Sequence, residues 1–243
     1  MADLFIWAHR GASQAAPENT MAAFRAAEEA GADGIELDVH LCRDGVPVVI
    51  HDESVDRTTD GSGAVGSYSL RELRKLDAGR WFSPVFSGEA VPTLEEVLAW
   101  AEGRVRLNIE IKSSRAGEAV LAQLASFPQA RVLVSSFDHG LLEHLRHISS
   151  DLPLAFLCES PLWRRSLRRA VACGAESFHP RRDRVSRAMT AACRREGLGV
   201  MPWTVDNVRQ LWPLLRLGIN GIFTNTPELF VRYRNRPKAS ASI

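Results

Sequence analysis

Gly34-Ile-Glu-Leu-Asp-Val39 and Leu107-Asn-Ile-Glu-Ile-Lys112 are short strand-like runs of alternating polar and apolar residues. Similar apolar or β-branched runs alternate with amphipathic segments along nearly the whole chain, which is typical of parallel βα units. The pattern predicts an α/β fold, a TIM-type (β/α)8 barrel, but it supplies nine runs where the barrel needs eight. The nine predicted strands are 4–9, 34–39, 46–51, 105–111, 132–136, 154–157, 176–179, 199–205 and 221–224.

Two segments interrupt this alternation. The link between runs 34–39 and 46–51 is too short for a helix and contains Asp44-Gly45, a turn pair, so one of these runs can be a hairpin partner outside the barrel. Residues 53–92 are polar and rich in Gly and Ser, which predicts a small insertion after the third strand. We therefore expect one barrel domain over residues 1–243, with the insertion at about 53–92 and a frayed tail at about 236–243.

Several helix starts can be recognised from their capping residues. Thr93-Leu-Glu-Glu96 has the pattern of a capping box, in which the threonine oxygen and the glutamate carboxylate each accept from a free backbone N–H. Pro213 falls inside the helix predicted for 206–217 and is expected to kink it. Other helices are predicted to begin at Asn19 or Thr20, Asp138, Ser186, Asp206 and Thr226-Pro227.

The composition excludes several classes of protein. Of the 243 residues, 45% are hydrophobic and 24% are charged, which excludes disordered, collagen-like and disulfide-scaffold chains. No run approaches the roughly 18 apolar residues of a membrane span, and the residues before the first predicted strand lack the pattern of a secretory signal, so we expect none. Because the four cysteines lie far apart without CxxC pairing, we expect reduced, buried thiols in a soluble cytoplasmic protein.

The net charge of +1 conceals an uneven distribution, since residues 1–120 sum to −8 and residues 121–243 sum to +9. The arginines of the basic half are spread over predicted helical faces without interleaved aromatic residues. This favours a solvated, salt-bridged surface. Neither a nucleic-acid partner nor stable membrane insertion is expected.

Reactive side chains lie at the ends of the first four predicted strands. Side chains two residues apart on a strand share a face, so each strand can present several polar groups to one side. Because the carboxyl ends of barrel strands carry the chemistry, we expect these groups to meet. They are His9 and Arg10 after the first strand, Glu36 and Asp38 on the second, His51 and Asp52 after the third, and Asn108, Glu110 and Lys112 on the fourth.

Some of these features also have a structural explanation. A single strand-end histidine such as His9 is more often a satisfied structural group than a functional one. Glu36 and Asp38 are explained by a salt bridge to arginine or, as we favour, by a metal ion that relieves their repulsion. Asp52 can orient the His51 ring or cap the following turn.

Taken together, the groups indicate phosphodiester cleavage. Three carboxylates suit one hard divalent cation, Mg²⁺ or Ca²⁺, better than they suit a closed zinc site. An arginine and a lysine beside an open coordination sphere favour an anion, above all a phosphate. Two histidines near that anion can divide the proton transfers, one accepting from the nucleophile and the other donating to the leaving oxygen.

At these residues the sequence resembles the glycerophosphodiester phosphodiesterase family. The matching motifs follow the family order over roughly residues 5–230, which argues against a chance match. They include His9-Arg-Gly11, Pro17-Glu-Asn-Thr20, Glu36-Leu-Asp-Val39, Asp44-Gly-Val-Pro-Val48, His51-Asp52, Arg57-Thr-Thr59, Leu107-Asn-Ile-Glu-Ile-Lys112, Ser135-Ser-Phe137 and Trp203-Thr-Val205.

The resemblance implies a barrel that hydrolyses glycerophosphodiesters to glycerol 3-phosphate and an alcohol such as choline or ethanolamine. In the family's usual scheme, the neighbouring glycerol hydroxyl attacks phosphorus and expels the alcohol, and water then opens the cyclic phosphate. The implied roles are one Mg²⁺ or Ca²⁺ held by Glu36, Asp38 and Glu110, acid–base catalysis by His9 and His51, and phosphate contacts from Arg10 and Lys112. Trp203 and Phe137 are expected to line the substrate pocket, unless Trp203 is a plain core residue, and Asp52 to orient His51.

Two residues depart from the family pattern. Asp206 stands where Asn commonly follows Trp-Thr-Val, and Asn225 stands where Asp is more usual in the last strand. The departures put substrate contacts and charge near the last strands in doubt and leave the core reaction intact. Among the other histidines, only His179 is a candidate for the mouth of the site.

Two alternative functions stay open. A lysophospholipase D-like activity on single-chain lipids would need an apolar groove, and a non-catalytic barrel that binds phosphate ligands should have lost a histidine or a carboxylate. The sequence does not choose between Mg²⁺ and Ca²⁺, and it gives neither the headgroup preference, the order in which the histidines act, nor the oligomeric state.

Overall fold

The computed structural model describes residues 4–235, so the tail predicted at 236–243 lies outside the described residues. The strands are β1 (Phe5–His9), β2 (Gly34–Leu41), β3 (Pro47–Val49), β4 (Arg106–Ile111), β5 (Val132–Ser136), β6 (Leu154–Cys158), β7 (Ser177–Pro180), β8 (Gly199–Val200) and β9 (Gly221–Thr224). The helices are α1 (Met21–Glu29), α2 (Leu70–Leu73), α3 (Leu94–Ala101), α4 (Gly117–Leu124), α5 (His139–Ile148), α6 (Trp163–Ala172), α7 (Arg187–Arg195), α8 (Val208–Leu217) and α9 (Pro227–Arg234).

Eight parallel strands form the barrel in the order β8-β7-β6-β5-β4-β2-β1-β9. The seam between β8 and β9 is closed by backbone hydrogen bonds rather than by a regular ladder. Asn220 N donates to Val200 O at 2.9 Å, and Phe223 N donates to Pro202 O at 3.0 Å. Regular strand geometry therefore covers only the first two residues of the run predicted at 199–205, and the barrel fold itself is confirmed.

The ninth predicted strand is β3, which lies outside the barrel path. It pairs antiparallel with β2, Val39 facing Val49, across a turn in which Gly45 has a φ of 76°. Our expectation that His51 follows the carboxyl end of a parallel strand is therefore wrong. The hairpin carries the chain back toward the barrel, where Ile50 N donates to Asp38 O at 3.0 Å and places His51 beside β2.

Residues 53–92 fold into short elements. They contain α2, 3₁₀ turns at Val65–Ser67 and Pro84–Phe86, and an isolated bridge between Ser54 and Ala64. Their apolar residues share a separate buried cluster with the β3 hairpin. Side chains from this segment and from the hairpin can therefore pack together beside the rim of the barrel.

Most helix ends follow the predicted capping. Thr93 and Glu96 form the reciprocal capping box, and Thr20, rather than Asn19, caps α1. Asp138 and Ser186 cap α5 and α7, and Pro227 occupies the first turn of α9. The prediction for Asp206 is wrong, because Asn207 caps α8 and the Asp206 carboxylate accepts hydrogen bonds from Asn225 instead. Helix α8 continues across Pro213.

The alternation along β2 and β4 divides their side chains between two environments. Apolar residues such as Ile35 and Leu107 belong to the main buried cluster with the surrounding helices. Inside the barrel, Trp7, Leu133, Ala155 and Phe223 form a separate apolar cluster. Trp7 lies opposite Gly34, where an added Cβ would come within 2.4 Å of the indole ring. This apolar layer fills the barrel one step below the polar residues of the rim.

No helix among residues 4–235 is both long enough and apolar enough to cross a membrane. The four cysteines are all buried and unpaired, as the sequence predicts.

Candidate active site

The three predicted carboxylates meet at the carboxyl ends of β2 and β4. The parallel register sets Glu36 beside Asn108 and Asp38 beside Glu110, so the alternating pattern of both strands faces one space. One carboxylate oxygen from each of Glu36, Asp38 and Glu110 lies within 4.8 Å of the others, and all three residues are buried. Such a cluster can hold a divalent cation.

Burial and neighbouring charges shift the pKa values of the three carboxylates. Burial raises the pKa of Glu36 well above its ordinary value, and the Asp38 and Glu110 carboxylates raise it further. Burial, followed by the Asp38 charge, raises the pKa of Glu110 to about 7. Burial also acts to raise the pKa of Asp38, but the charges of Arg10 and Lys112 hold it below its ordinary value.

Two carboxylate oxygens in this cluster lack a hydrogen-bond donor. Glu36 Oε1 and Asp38 Oδ1 are buried and accept no hydrogen bond. The Lys112 ammonium lies 3.4 Å from Asp38 Oδ1, beyond ordinary hydrogen-bond length, whereas Glu36 Oε1 has no hydrogen-bond donor, and a buried anionic oxygen of that kind is costly unless a cation lies close to it. The donor set therefore fits a hard metal ion, which binds carboxylate oxygens.

Both predicted phosphate-binding cations border the carboxylates. Lys112 Nζ donates to Glu110 Oε1 at 2.7 Å and lies 3.4 Å from Asp38 Oδ1. Arg10 Nε lies 3.3 Å from Asp38 Oδ2, and the Arg10 backbone N–H donates to Glu36 Oε2 at 2.8 Å. The structure thus gathers positive and negative groups at a single rim, as the strand-end pattern predicts.

The two histidines both line the cavity beside this cluster, and they have different partners. His9 Nδ1 lies 2.8 Å from Asn225 Oδ1, and His9 Nε2 lies 4.0 Å from Glu36 Oε2. Burial, and then the Arg10 charge, lowers the pKa of His9 to about 4. His51 Nδ1 donates to Asp52 Oδ1 at 2.6 Å. Of the two open interpretations of Asp52, the structure shows the contact with the imidazole ring.

Sequence reasoning missed the residues that support this first layer of side chains. Glu18 accepts from Arg10 Nη1 at 2.8 Å and from both terminal nitrogens of Arg57, and Arg57 Nε donates to Asp52 Oδ2 at 2.7 Å. Asn19 Nδ2 donates to Asp38 Oδ2 at 2.9 Å. These residues lie within the family motifs Pro17-Glu-Asn-Thr20 and Arg57-Thr-Thr59, which were the available signal.

A cavity of about 70 Å³ opens between these groups. Phe137 and Trp203 stand at its wall, edge to face with ring centroids 5.6 Å apart. A larger groove of about 810 Å³ lies on the outside of the barrel between α1 and α9, away from the carboxylates. The remaining residues that line the smaller cavity are His9, Arg10, Glu36, His51, Asn108, Glu110, Lys112, Leu157 and Phe223.

His179 does not line the mouth of this cavity. It is fully buried inside the barrel, 2.8 Å from Ser177 Oγ and with its ring 4.8 Å from that of Phe223. Burial, and then the Arg106 charge, lowers its pKa to about 3. The side chain is a structural group of the barrel interior.

Comparisons with known proteins agree with the geometry. The model of the glycerophosphoryl diester phosphodiesterase family matches residues 9–229. A glycerophosphodiester phosphodiesterase from Caldanaerobacter subterraneus subsp. tengcongensis is 40% identical over 236 residues, which cover 93% of this chain and 96% of that protein.

Solved structures give the same result. A glycerophosphodiester phosphodiesterase from Agrobacterium tumefaciens superposes with a TM-score of 0.82 at 32% identity, over 94% of this chain and 99% of that one. A phosphodiesterase from Oleispira antarctica, in complex with the product sn-glycerol-3-phosphate, gives a TM-score of 0.89 at 26% identity, over 95% and 96% of the two chains. The chain therefore belongs to the glycerophosphoryl diester phosphodiesterase family of enzymes.

Proposed function

We propose that the protein hydrolyses small glycerophosphodiesters to glycerol 3-phosphate and an alcohol, with the help of one divalent cation. One observation carries the proposal. Three buried carboxylates, two of them with an oxygen that has no donor, lie between two basic side chains and two histidines at one rim of the barrel. Acidic, basic and proton-transferring groups are the set that phosphodiester cleavage requires.

Glu36, Asp38 and Glu110 are the residues that would hold the cation. Oxygen ligands favour Mg²⁺ or Ca²⁺, and a bound ion would polarise the phosphoryl oxygens. The charges support this assignment. Three carboxylates against Arg10 and Lys112 leave one net negative charge, so a dication and a phosphodiester monoanion together bring the cluster to neutrality.

Arg10 and Lys112 would contact the phosphate, because both are positively charged side chains that line the cavity beside the carboxylates. In the first step the neighbouring glycerol hydroxyl attacks phosphorus, the bond to the alcohol oxygen breaks, and a cyclic phosphate forms. One histidine takes the proton of the attacking hydroxyl, and the other gives a proton to the departing alcohol. Water then opens the cyclic phosphate with the proton transfers reversed, which returns His9 and His51 to their starting states.

Three further residues would shape the site around the reacting atoms. Asp52 would orient His51 through the 2.6 Å hydrogen bond, and Trp203 and Phe137 would pack against the carbon atoms of the substrate. Both histidines line the cavity and all three carboxylates are present in the cluster beside it, which argues against a barrel that only binds.

The remaining proposals concern the whole chain. We propose that residues 1–243 act as one catalytic domain, in which the segment at about 53–92 borders the site through Arg57. Four buried, unpaired cysteines are consistent with a cytoplasmic location, where thiols stay reduced.

The test is formation of glycerol 3-phosphate from glycerophosphocholine and glycerophosphoethanolamine, followed with a coupled dehydrogenase. Activity should disappear in EDTA and return when Mg²⁺ or Ca²⁺ is added in excess. A single-chain lysophospholipid, assayed in parallel for choline release, should be a poor substrate. If no headgroup yields glycerol 3-phosphate with either cation, the proposal fails and the non-catalytic interpretation replaces it.

A further inference from the structure

The partner of His9 is an amide, and an amide by itself does not determine which ring nitrogen carries the proton. Asn225 Oδ1 lies 2.8 Å from His9 Nδ1. A side-chain amide can present either its oxygen or its NH₂ group to the imidazole, and the two orientations select opposite tautomers of a neutral histidine. The orientation of Asn225 therefore decides the state of His9.

Asp206 fixes that orientation. Its Oδ2 lies 3.0 Å from Asn225 Nδ2, and its Oδ1 accepts from the Asn225 backbone N–H at 2.7 Å. An ionised carboxylate only accepts hydrogen bonds, so the atom of Asn225 that faces it must be the NH₂ group. The amide oxygen then faces His9, and Ser13 Oγ lies 2.9 Å from the same oxygen.

The consequence for His9 follows from the same donor and acceptor rules. An amide oxygen cannot donate, so Nδ1 of His9 carries the proton, and in the neutral ring Nε2 then keeps its lone pair. Nε2 is the nitrogen that lies 4.0 Å from Glu36 Oε2, at the cavity. The hydrogen bonds between Asp206 and Asn225 and between Asn225 and His9 thus leave the unprotonated ring nitrogen, Nε2, facing the cavity.

We propose that Asp206 and Asn225 are positioning residues that hold His9 as the Nδ1–H tautomer, with Nε2 free to accept a proton at the cleft. This inference rests on the proposed function for its catalytic meaning. His51 differs, because it meets the Asp52 carboxylate directly at 2.6 Å and needs no second group to fix its partner. The two residues that depart from the family pattern therefore act on each other and on one histidine.

The first test is spectroscopic and needs no turnover. Long-range ¹H–¹⁵N correlation spectra of ¹⁵N-histidine-labelled protein separate the protonated ring nitrogen from the bare one. Wild-type His9, assigned with a His9→Gln variant, should show protonated Nδ1 and bare Nε2. An Nε2–H tautomer in the wild-type protein would overturn the proposal whatever the enzyme's activity proves to be.

The second test exchanges the two side chains. In Asp206→Asn the amide of Asn225 loses its fixed acceptor, so its NH₂ group can turn to His9. We expect Nε2 to gain the proton and kcat to fall by about 10² to 10⁴, with little change in KM. In the double variant Asp206→Asn/Asn225→Asp, the amide introduced at position 206 can donate to the carboxylate introduced at position 225, which again accepts from His9 Nδ1. This variant should recover the wild-type tautomer and most of kcat.

A matched control is Asp183→Asn, the same change at an exposed carboxylate that pairs with Arg181. It should leave both the spectrum and kcat unchanged. The proposal is wrong if Asp206→Asn keeps the wild-type tautomer or the wild-type kcat, or if the folded double variant is no better than the single one. If wild-type protein has the expected tautomer but turns over no glycerophosphodiester, the proposed function fails and the positioning by Asp206 stands.

Discussion

Replacing Glu110 by Gln is expected to stabilise the protein in the absence of metal and to remove its response to a divalent cation. Burial, with the neighbouring Asp38 carboxylate, raises the pKa of Glu110 to about 7, so the folded protein resists ionisation of this group. Glutamine has nearly the same shape and can still accept from Lys112 Nζ, which lies 2.7 Å from Glu110 Oε1. Because glutamine is uncharged, its burial avoids the free-energy cost of removing an ionised carboxylate from water.

The size of the effect follows from the linkage between ionisation and folding. A carboxyl whose pKa is higher in the folded protein contributes its full stability below its ordinary pKa of 4.5, and that contribution is lost as the pH rises through about 7. At about 1.4 kcal/mol per pH unit, the loss above pH 8 approaches about 3 kcal/mol. Glu110→Gln should avoid this loss.

The assay is urea unfolding followed by tryptophan fluorescence at pH 5 and pH 8, in EDTA and in excess Mg²⁺ or Ca²⁺. In EDTA at pH 8 the free energy of unfolding of the variant should exceed that of wild type by about 2 to 3 kcal/mol, and the difference should shrink to under about 1 kcal/mol at pH 5. A cation at 100 times its Kd should stabilise wild type by about 2.7 kcal/mol and the variant by much less.

The matched control is Glu118→Gln on α4, where the carboxylate is exposed and, within residues 4–235, forms an ion pair only with His144. An exposed change of this kind should alter stability by no more than about 0.5 kcal/mol under every condition. The reasoning is refuted if Glu110→Gln is less stable than wild type in EDTA at pH 8, or if the cation stabilises both proteins equally.

Three further outcomes are expected. His51→Ala should keep the cation-dependent stabilisation but lower kcat by about 10² to 10⁴, whereas the exposed control His144→Ala should leave kcat unchanged. A near-normal rate for His51→Ala would exclude proton transfer by His51. Because the pKa of buried His179 falls to about 3, its stability contribution is present above pH 6.5 and is lost as the pH falls toward 3. The free energy of unfolding should drop by about 2 kcal/mol between pH 7 and pH 5 through this group, and His179→Gln should show a smaller drop; equal drops would contradict the assignment. The four buried cysteines should react with a thiol reagent only on unfolding, and rapid reaction of the native protein would show that they are accessible.

The parts of the site that could be predicted are those that depend on local periodicity. Glu36 and Asp38 share a face because a strand repeats every two residues, and the same rule places Asn108 on one face with Glu110. The parallel register then brings the two pairs together, Glu36 beside Asn108 and Asp38 beside Glu110. A single sequence contains both the alternation and the strand ends, so the carboxylate cluster follows from it directly.

The parts that were missed depend on contacts between distant segments. Asp206 looks like a helix cap because it precedes a helical pattern, and nothing local shows that its carboxylate pairs with Asn225, 19 residues away. The direction of β3 was equally hidden. A turn pair such as Asp44-Gly45 indicates a hairpin but does not say which of its two strands belongs to the barrel. In both cases the outcome is decided by tertiary pairing.

Arg10 shows why a candidate site residue can also contradict local backbone preference. Its φ of 57° lies in the left-handed region, which costs a residue with a Cβ roughly 1–2 kcal/mol. In this conformation its N–H donates to Glu36 Oε2 at 2.8 Å, and its carbonyl accepts from Asn19 N at 3.0 Å. An extended residue at this position would turn the N–H away and leave the buried Glu36 carboxylate with still fewer donors. The hydrogen bond to the Glu36 carboxylate therefore helps to hold Arg10 in its strained conformation. Removing the charge of that carboxylate should weaken the turn as well as the site.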